Sequence, residues 1–439
     1  MTNKTTVMSS EVETSKYFFD IYQKNIYLYQ NFKSINFYNM ENNIFELTTK
    51  ELKEIANNLQ AKIEEGLKKD GMELSDIPTH INPKNDIEDG RVLALDWGGT
   101  NFRAAVVEFK NGKPSIIEGP KKKLLDKETT AGFKRDDLFR EMAATISELK
   151  TLKSPNGKVS RIGYCFSYPA ASRLNGDAIL LRWTKGINIP DMIEKPVGEP
   201  FLNYLNTHKD IGVKFEDIKV INDTVACLFA GLSETGFDTY AGLIVGTGTN
   251  MASLMRNDKI DKLNNKSTSL IPVNLESGNF QPPYLTVIDG LVDAMSNNKG
   301  QQRFEKAISG GYLGEIFKTV FMFEKIKYNF DGEDLSKALT ENPDNLSKEK
   351  VQVARQICDR SAKLVAASIA GMVQVLVKQD PATKKIGLAA DGSVFWKTPG
   401  YKSLVEAELK TLLPDGVNVT ILPEMNEPNL SGSAIAALS

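Results

Sequence analysis

Residues 93–109, LALDWGGTNFRAAVVEF, read as one long buried strand broken by two glycines and a threonine. Residues 241–255, AGLIVGTGTNMASLM, repeat the plan: apolar strand, Gly/Thr turn, Asn, second strand. A single such turn is ordinary hairpin chemistry. Two of them with nearly the same GTN ending imply two similar lobes, each opening on a hairpin. Glycine lets the backbone approach a ligand closely, and successive N–H groups in a tight turn form a concave anion site that needs no charged side chain. The pattern therefore points to a triphosphate gripped by hairpins. No GxxxxGK[ST] stretch occurs and neither turn runs on into a helical pattern, so the P-loop and dinucleotide readings fail. Asp96, at the end of the first strand, is placed to reach Mg²⁺ through water, although a turn-forming role accounts for it equally well.

The rest of the chain sets the frame. Thr48-x-x-Glu51 reads as a capping box, and Leu52, Ile55, Leu59, Ile63 and Leu67 follow at helical spacing until Gly71. From Arg91 onward short apolar strands alternate with helices, with breaks at SPNGK (from Ser154) and NPDN (from Asn342), which makes the class α/β. At 439 residues, 41% of them apolar, the chain can fill the cores of two or three domains. Its 54 basic and 56 acidic residues, with no basic block, argue against a nucleic-acid partner. The longest apolar stretch, Leu364–Val377, is bracketed by lysines and falls short of the ~18 residues of a membrane span, so a buried helix is expected and no membrane insertion.

Cys165, Cys227 and Cys358 lie far apart in apolar surroundings, which fits buried free thiols in a reducing compartment, and a cytoplasmic location is expected. With only His80 and His208, histidine-based metal sites and Ser-His-Asp chemistry have almost nothing to use, and carboxylates must do any acid–base work. Residues 17–38 are dense in Tyr, Phe, Asn, Lys and Ile. A docking arm, a mobile tail, or translation upstream of a start at Met40 all remain open for that leader.

Asp223 follows the apolar run IKVI and precedes the helix-like TVACLFAGL, so its carboxylate would project from a strand end into a cleft, while Asn222 or Asp223 capping that helix is the plainer alternative. Here the motifs acquire a family. DWGGTNFR (96–103) and GTGTN (246–250) resemble the two phosphate motifs of the hexokinase family within the actin-like ATPase superfold. GYCFSYPAASRLNGDAILLRWTKG (163–186) looks like its sugar-binding segment and VINDTVA (220–226) like its catalytic turn. VNLESGNF (273–280) and GQQRFEKAISGGYLGE (300–315) are similar to two further sugar-side motifs, and ADGSVF (390–395) to its adenosine motif.

The resemblance runs in order from about Thr48 to the C terminus. It implies a two-lobed actin-like/RNase H-like α/β fold, each lobe a mixed sheet flanked by helices, with the active site in the cleft between lobes. Residues 1–46 would form a poorly ordered leader. Residues 47–230 would form the small lobe together with an N-terminal helix packed on the large lobe, and 231–439 the large lobe.

By the same resemblance the chain transfers the γ-phosphoryl group of ATP, with Mg²⁺, to the 6-hydroxyl of glucose or a related hexose, the first step of glycolysis. Asp223 would be the general base, and Lys185 would offset charge at the transferring group. Ser167, Thr184, Lys185, Asn222, Asp223, Asn250, Glu276 and Glu305 would line the sugar pocket. Asp96 (also holding Mg²⁺ through water), Gly98, Gly99, Thr100, Asn101, Arg103, Gly246, Thr247, Gly248, Gly392 and Ser393 would hold the nucleotide. Taken alone, Glu305 reads as part of a solvated helix face. Trp183 and Phe166 read as packing residues, and Cys165 and Cys227 as buried filler.

The sequence departs from the family in four places. Ser277 stands where a Trp is usual, Ser172 where Gln is frequent, and Gly311 where Lys is common. The C-terminal run EPNLSGSAIAAL (427–438) keeps Gly432 but carries Pro428 and Leu430. The alternative is a non-catalytic sugar-sensing or scaffold protein of the same fold; the retained Asp96, Asp223 and Lys185 speak against it. An actin-like or heat-shock-like ATPase would have no use for the FSYP, WTKG and NLESG segments.

Overall fold

A computed structural model describes residues 43–439 except 84–86, 155–157, 323, 325 and 328. The leader expected over 1–46 thus lies almost wholly outside the described residues, as does the middle of the SPNGK break. The capping box forms as the sequence reads, with the Thr48 side chain accepting from Glu51 N–H and Glu51 reaching back to the Thr48 N–H. The helix it starts, Thr49–Lys68, ends three residues before the glycine expected to stop it. It buries Leu52, Ile55, Leu59, Ile63 and Leu67 against helices Lys348–Gln379 and Tyr401–Leu412.

The strands in chain order are β1 (Ile77–Pro78), β2 (Gly90–Trp97), β3 (Asn101–Lys110), β4 (Lys113–Leu124), β5 (Val159–Phe166), β6 (Ala170–Ser172), β7 (Ala178–Leu180) and β8 (Asp217–Ile221). The second half supplies β9 (Thr239–Val245), β10 (Thr249–Arg256), β11 (Leu270–Asn274), β12 (Lys385–Asp391) and β13 (Asn418–Ile421). They form a five-stranded sheet ordered β4-β3-β2-β5-β8 and a six-stranded sheet ordered β1-β11-β10-β9-β12-β13, with β6 and β7 as a separate pair.

The repeat seen in the two hairpins extends to the topology. β2, β3 and β4 form an antiparallel meander flanked by β5 and β8 running parallel to β2. β9, β10 and β11 form the same meander flanked by parallel β12 and β13. Each five-strand unit is followed by a helix, Asp223–Gly231 after β8 and Pro428–Leu438 after β13. These two helices pack on each other and cross over: the first lies on β9 and β12 of the other sheet, the second on β5, β2 and β8. The C-terminal helix therefore belongs by packing to the first sheet, although its sequence falls in the 231–439 region.

Strand β2 is buried on both faces, which explains its nearly continuous apolar run. Leu93, Leu95 and Trp97 face a core shared with helix Arg135–Ser147, whereas Val92 and Ala94 face the crossing helices. The stretch around Leu364–Val377 is the heart of a 32-residue helix. It is the one described helix long and apolar enough to cross a membrane, but 78% of that window is buried inside the protein.

The C-terminal helix sits so close to its neighbours that a Cβ at Gly432 would fall 1.8 Å from the Ala226 carbonyl oxygen. Backbone cannot give way as a flexible side chain can. Gly432→Ala is expected to cost about 3 kcal/mol, read as a lowered urea midpoint. Gly90→Ala, where the added carbon would meet nothing within 4 Å, should stay within about 0.5 kcal/mol.

Candidate active site

The first hairpin opens onto a cleft of about 390 Å³ lined by Asp96, Gly98, Thr100, Asn101, Arg103, Lys122, Ser167, Lys185, Asp223 and Asn429. Eight of these ten lining positions were expected at the site from sequence; Lys122 and Asn429 were not. Gly99 turns the chain at φ +107°, and a Cβ there would strike the Lys185 side chain at 2.7 Å, so glycine is needed for both the turn and the close approach. Lys185 in turn donates from Nζ to the Ser167 carbonyl at 3.0 Å and lies 5.4 Å from the centre of the Tyr168 ring. Thr184 precedes it in the same loop, its carbonyl accepting from Ile187 N–H.

Asp96 is buried at the end of β2 and pairs with Arg103, whose other arm pairs with Glu427 at the start of the C-terminal helix. Burial raises the Asp96 pKa, opposed chiefly by the Arg103 charge. Asn429 Nδ2 lies 3.4 Å from Asp96 Oδ1, and its own Oδ1 is buried without a partner. Pro428 occupies the first turn of this helix, a position where its missing N–H costs nothing, and Leu430 is fully buried, which accounts for both departures from the glycine-rich pattern.

Asp223 is the first residue of its helix. Asn222 caps that helix, its Oδ1 accepting from Thr224 N–H at 2.9 Å, so the capping alternative holds for Asn222 while Asp223 projects into the cleft. The Asp223 Oδ1 also accepts from Thr224 N–H at 2.8 Å, which orients the carboxylate.

The remaining polar residues form a wall built on the second sheet. Asn250 Nδ2 donates to Asn274 Oδ1 at 2.7 Å, and Asn274 Nδ2 donates to Glu276 Oε1 at 2.7 Å. Ser277 N–H donates to Asn250 Oδ1, and Thr249 N–H to Glu305 Oε2 at 3.0 Å. Glu305 is thus tied to the second hairpin and is not on a solvated face. Asn222, Asn274 and Glu276 also share a small pocket of about 30 Å³ with Ser172. Ser277 is fully buried with its hydroxyl unpartnered.

In the second hairpin, Gly246 N–H closes the turn onto Gly248 O, and the Gly246 carbonyl accepts from Gly310 N–H. Gly246 therefore serves the turn itself and does not offer its N–H to a ligand. Thr247 and Ser393 line a separate cavity of about 440 Å³ with Gly310, Gly311, Lys337 and Lys397. Gly392 sits against the hairpin, within 3.4 Å of where a Cβ on Gly246 would lie. Gly311 N–H donates to the Thr247 carbonyl. A Cβ at Gly311 would lie 2.8 Å from that same oxygen, which accounts for glycine where lysine is common.

The two hairpins line neighbouring cavities, and the acids between them feel one another: Asp223 acts electrostatically on Asp96, Glu276 and Asp391. Three site residues other than glycine hold left-handed backbone: Lys185 (φ +57°), Glu276 (+56°) and Glu427 (+51°). Such conformations cost on the order of 1–3 kcal/mol each and persist only where the surroundings enforce them.

The aromatic side chains behave as packing. Phe166 and Trp183 lie in one cluster with Trp97 and Tyr168, and the Trp183 Nε1 donates to Ile189 O. All three cysteines are buried and free, and burial pushes each thiol pKa up.

Lys122, Asn274, Asn429 and Glu427 were missed from sequence. Asn274 carried a usable signal, since it lies in the same VNLESGNF motif as Glu276, two residues before it.

Comparison with known proteins gives one family. The hexokinase profiles match residues 39–232 and, in two overlapping segments, 240–351 and 331–439. Hexokinase-2 of Saccharomyces cerevisiae is 30% identical over 446 residues, covering 90% of this chain and 90% of that protein. The glucokinase of Aspergillus niger is 34% identical over 294 residues, spanning 60% of this chain and 58% of that protein. The fold matches that of the hexokinase from Schistosoma mansoni complexed with glucose, at TM-score 0.76 and 22% identity, over 93% of this chain and 99% of that one.

Burial raises the pKa of Glu276, with the Asp223 charge adding to it and the Asn274 hydrogen bond opposing it. The folded state then holds this proton to higher pH than the unfolded chain, so stability falls as pH rises from the ordinary carboxylate range to the raised value. Glu276→Gln keeps the acceptor oxygen and removes the titration. Its melting temperature should exceed the native value above neutral pH, with the gain shrinking to nothing near pH 4; a pH-independent difference would contradict this account.

Proposed function

The chain belongs to the hexokinase family, and from that premise we propose that it transfers the γ-phosphoryl group of ATP to the 6-hydroxyl of glucose or a related hexose. One observation carries the reading: the Asp223 carboxylate shares a cleft with the first phosphate hairpin, Asp96, Ser167 and Lys185. Asp223 removes the hydroxyl proton as the sugar oxygen attacks the γ-phosphorus and ADP departs. The Asn250–Asn274–Glu276 chain and Glu305 supply acceptors and donors to the other hydroxyls, and Ser167, Thr184 and Asn222 complete the ring of polar groups. Lys185 offsets the charge that builds on the transferring group.

ATP is the donor by family. The hairpins hold phosphates through backbone N–H groups, which read charge and not the base. Among the described residues no group of three or more His, Cys, Asp or Glu could hold a metal ion. That donor set fits Mg²⁺ arriving on the phosphates with its own waters, with Asp96 as the protein's carboxylate. When bound, the ion neutralises phosphate charge. Three free, buried thiols support a cytoplasmic protein.

The test is ATP consumption with and without glucose. The native chain should need the sugar, and Asp223→Asn should lower turnover about 10²- to 10⁴-fold with an unchanged melting temperature. Near-native turnover in that variant would remove Asp223 from the role of base. Sugar binding without sugar-dependent ATP consumption in the native chain would favour the sensing alternative.

Water must be kept from the phosphoryl group, so the lobes should close on the sugar. Small-angle scattering should record a smaller radius of gyration with glucose; an unchanged radius would count against closure.

A further inference from the structure

Glu305 reaches the second hairpin from an element too short to hold itself. Its helix, Arg303–Ile308, has six residues, no side-chain cap at its start, and an entry at Gln302 in left-handed backbone (φ +50°). Helices of this length are not stable alone, so the surroundings must set its direction. That direction matters, because the Glu305 carboxylate accepts from Thr249 N–H at 3.0 Å and a Cβ at Gly248 would fall 2.7 Å from Glu305 Oε2. A turn of the helix by one position, about 100°, would carry the carboxylate off the hairpin.

Asp293, in the preceding helix Val287–Met295, gathers the donors around this short element. It meets the Lys306 ammonium at 2.7 Å and Arg303 Nη1 at 3.5 Å. Both of its oxygens also accept from Gly300 N–H at 3.0 Å. Arg303 and Lys306 are three residues apart and share a helix face, so Glu305, between them, leaves from another. The buried Lys306 ammonium also donates to the Asn298 carbonyl at 2.9 Å, which fastens the loop leading into the helix. Burial works to raise the Asp293 pKa, but the Lys306 and Gly300 hydrogen bonds outweigh it and hold the carboxyl below its ordinary range.

The far end of the helix is held separately. Asp289, one turn before Asp293, pairs with the buried Arg360 of helix Lys348–Gln379, and Arg360 Nη2 reaches the Ala307 carbonyl at 3.5 Å. Ser361 Oγ donates to the Ile308 carbonyl at 2.8 Å. Gly310 and Gly311, which line the nucleotide-side cavity, follow directly. A buried ion pair contributes little net stability over apolar side chains of equal volume; its short, charge-assisted bonds fix geometry instead.

We propose that Asp293 is a positioning residue for hexose binding: through Lys306 and Arg303 it fixes the helix that presents Glu305 to the sugar. The proposal rests on the phosphotransferase reading given above, which places Glu305 among the sugar contacts. Asp293 itself lines neither the cleft nor the cavity beside it. Because Arg360 and Ser361 secure the nucleotide-side end independently, loss of Asp293 acts on the sugar and not on MgATP.

The experiment compares the native chain with Asp293→Asn, Glu305→Gln and the double variant. Glucose and MgATP affinities are each read by titration calorimetry, alongside KM for both substrates, kcat and the melting temperature. Asp293→Asn keeps the side chain's size and removes its charge, and should weaken glucose binding and raise KM for glucose about tenfold. Its MgATP affinity should stay within about twofold of native. If Asp293 works through Glu305, the double variant should bind glucose within about twofold of Glu305→Gln alone, because the two residues then share one interaction. Arg303→Gln, at a partly exposed side chain, repeats the test in a variant that does not threaten folding, with about a threefold loss for glucose.

Equal glucose affinity in the native chain, Asp293→Asn and Arg303→Gln overturns the proposal while leaving sugar phosphorylation standing. Losses that multiply in the double variant, or a fall in MgATP affinity in step with glucose, would make Asp293 a general stabiliser and also overturn it. A native chain that binds glucose, loses that binding through Asp293 as described, and yet consumes no ATP with any hexose supports the positioning role and removes the functional reading.

Discussion

The crossing of two helices is the constraint on which the rest depends. The helix that begins at Asp223 leaves the first sheet and packs on the second, while the helix that begins at Pro428 leaves the second and packs on the first. Their backbones come close enough that the contact admits only glycine at position 432. Because each helix starts at the exit of its own sheet and lies on the other, both N-terminal ends arrive at the junction. That places Asp223 from one, and Glu427 and Asn429 from the other, around the end of β2 where Asp96 sits. The catalytic candidates are thus not gathered by a local motif but by an architectural crossing.

The junction is built at a cost in stability. Asp96, Glu276, Glu305 and Asp391 all have carboxyl groups whose pKa burial raises. Arg103, the Asn274 amide, the Thr249 N–H and the Gly392 N–H respectively offset part of that cost. Left-handed backbone at Lys185, Glu276 and Glu427 adds conformational strain in the same region. A chain folding only for stability would replace these residues with glycine or neutral side chains. Oriented acceptors and donors of this kind are what a site needs when it must present them before the ligand arrives.

Much of this was legible in the sequence because it rests on local chemistry. The hairpins are announced by glycine, the first helix by its capping box, and the duplicated topology by the echo of 93–109 in 241–255. The strand-to-helix junction at Asn222 and Asp223 could be read too, though not which of the two would cap. What could not be read came from register and crossing. Lys122 sits in a run of three lysines, and only the pairing with β3 decides which one faces the cleft. Asn429 and Glu427 lie more than 320 residues from Asp96 and Arg103 in the chain, so no spacing in the sequence links them. Gly246 was read as a ligand contact because a glycine turn looks the same whether its N–H groups face outward or close on themselves.

The two hairpins divide the phosphate site between them. The first faces the cleft with Asp223. The second, through Thr247, faces the cavity it shares with Gly311 and Ser393. A triphosphate held by both must span these cavities, so in the liganded protein they must join. Each side has its own anchored side chain: Glu305 accepts from Thr249 N–H at the second hairpin, and Lys185 packs on the first at Gly99. Lys185 also acts electrostatically on Glu276 and Glu305 from the opposite wall. A sugar bound between Lys185 on one side and Glu276 and Glu305 on the other would bridge the same two walls that the nucleotide must bridge. Sugar and nucleotide would then engage the same pair of walls.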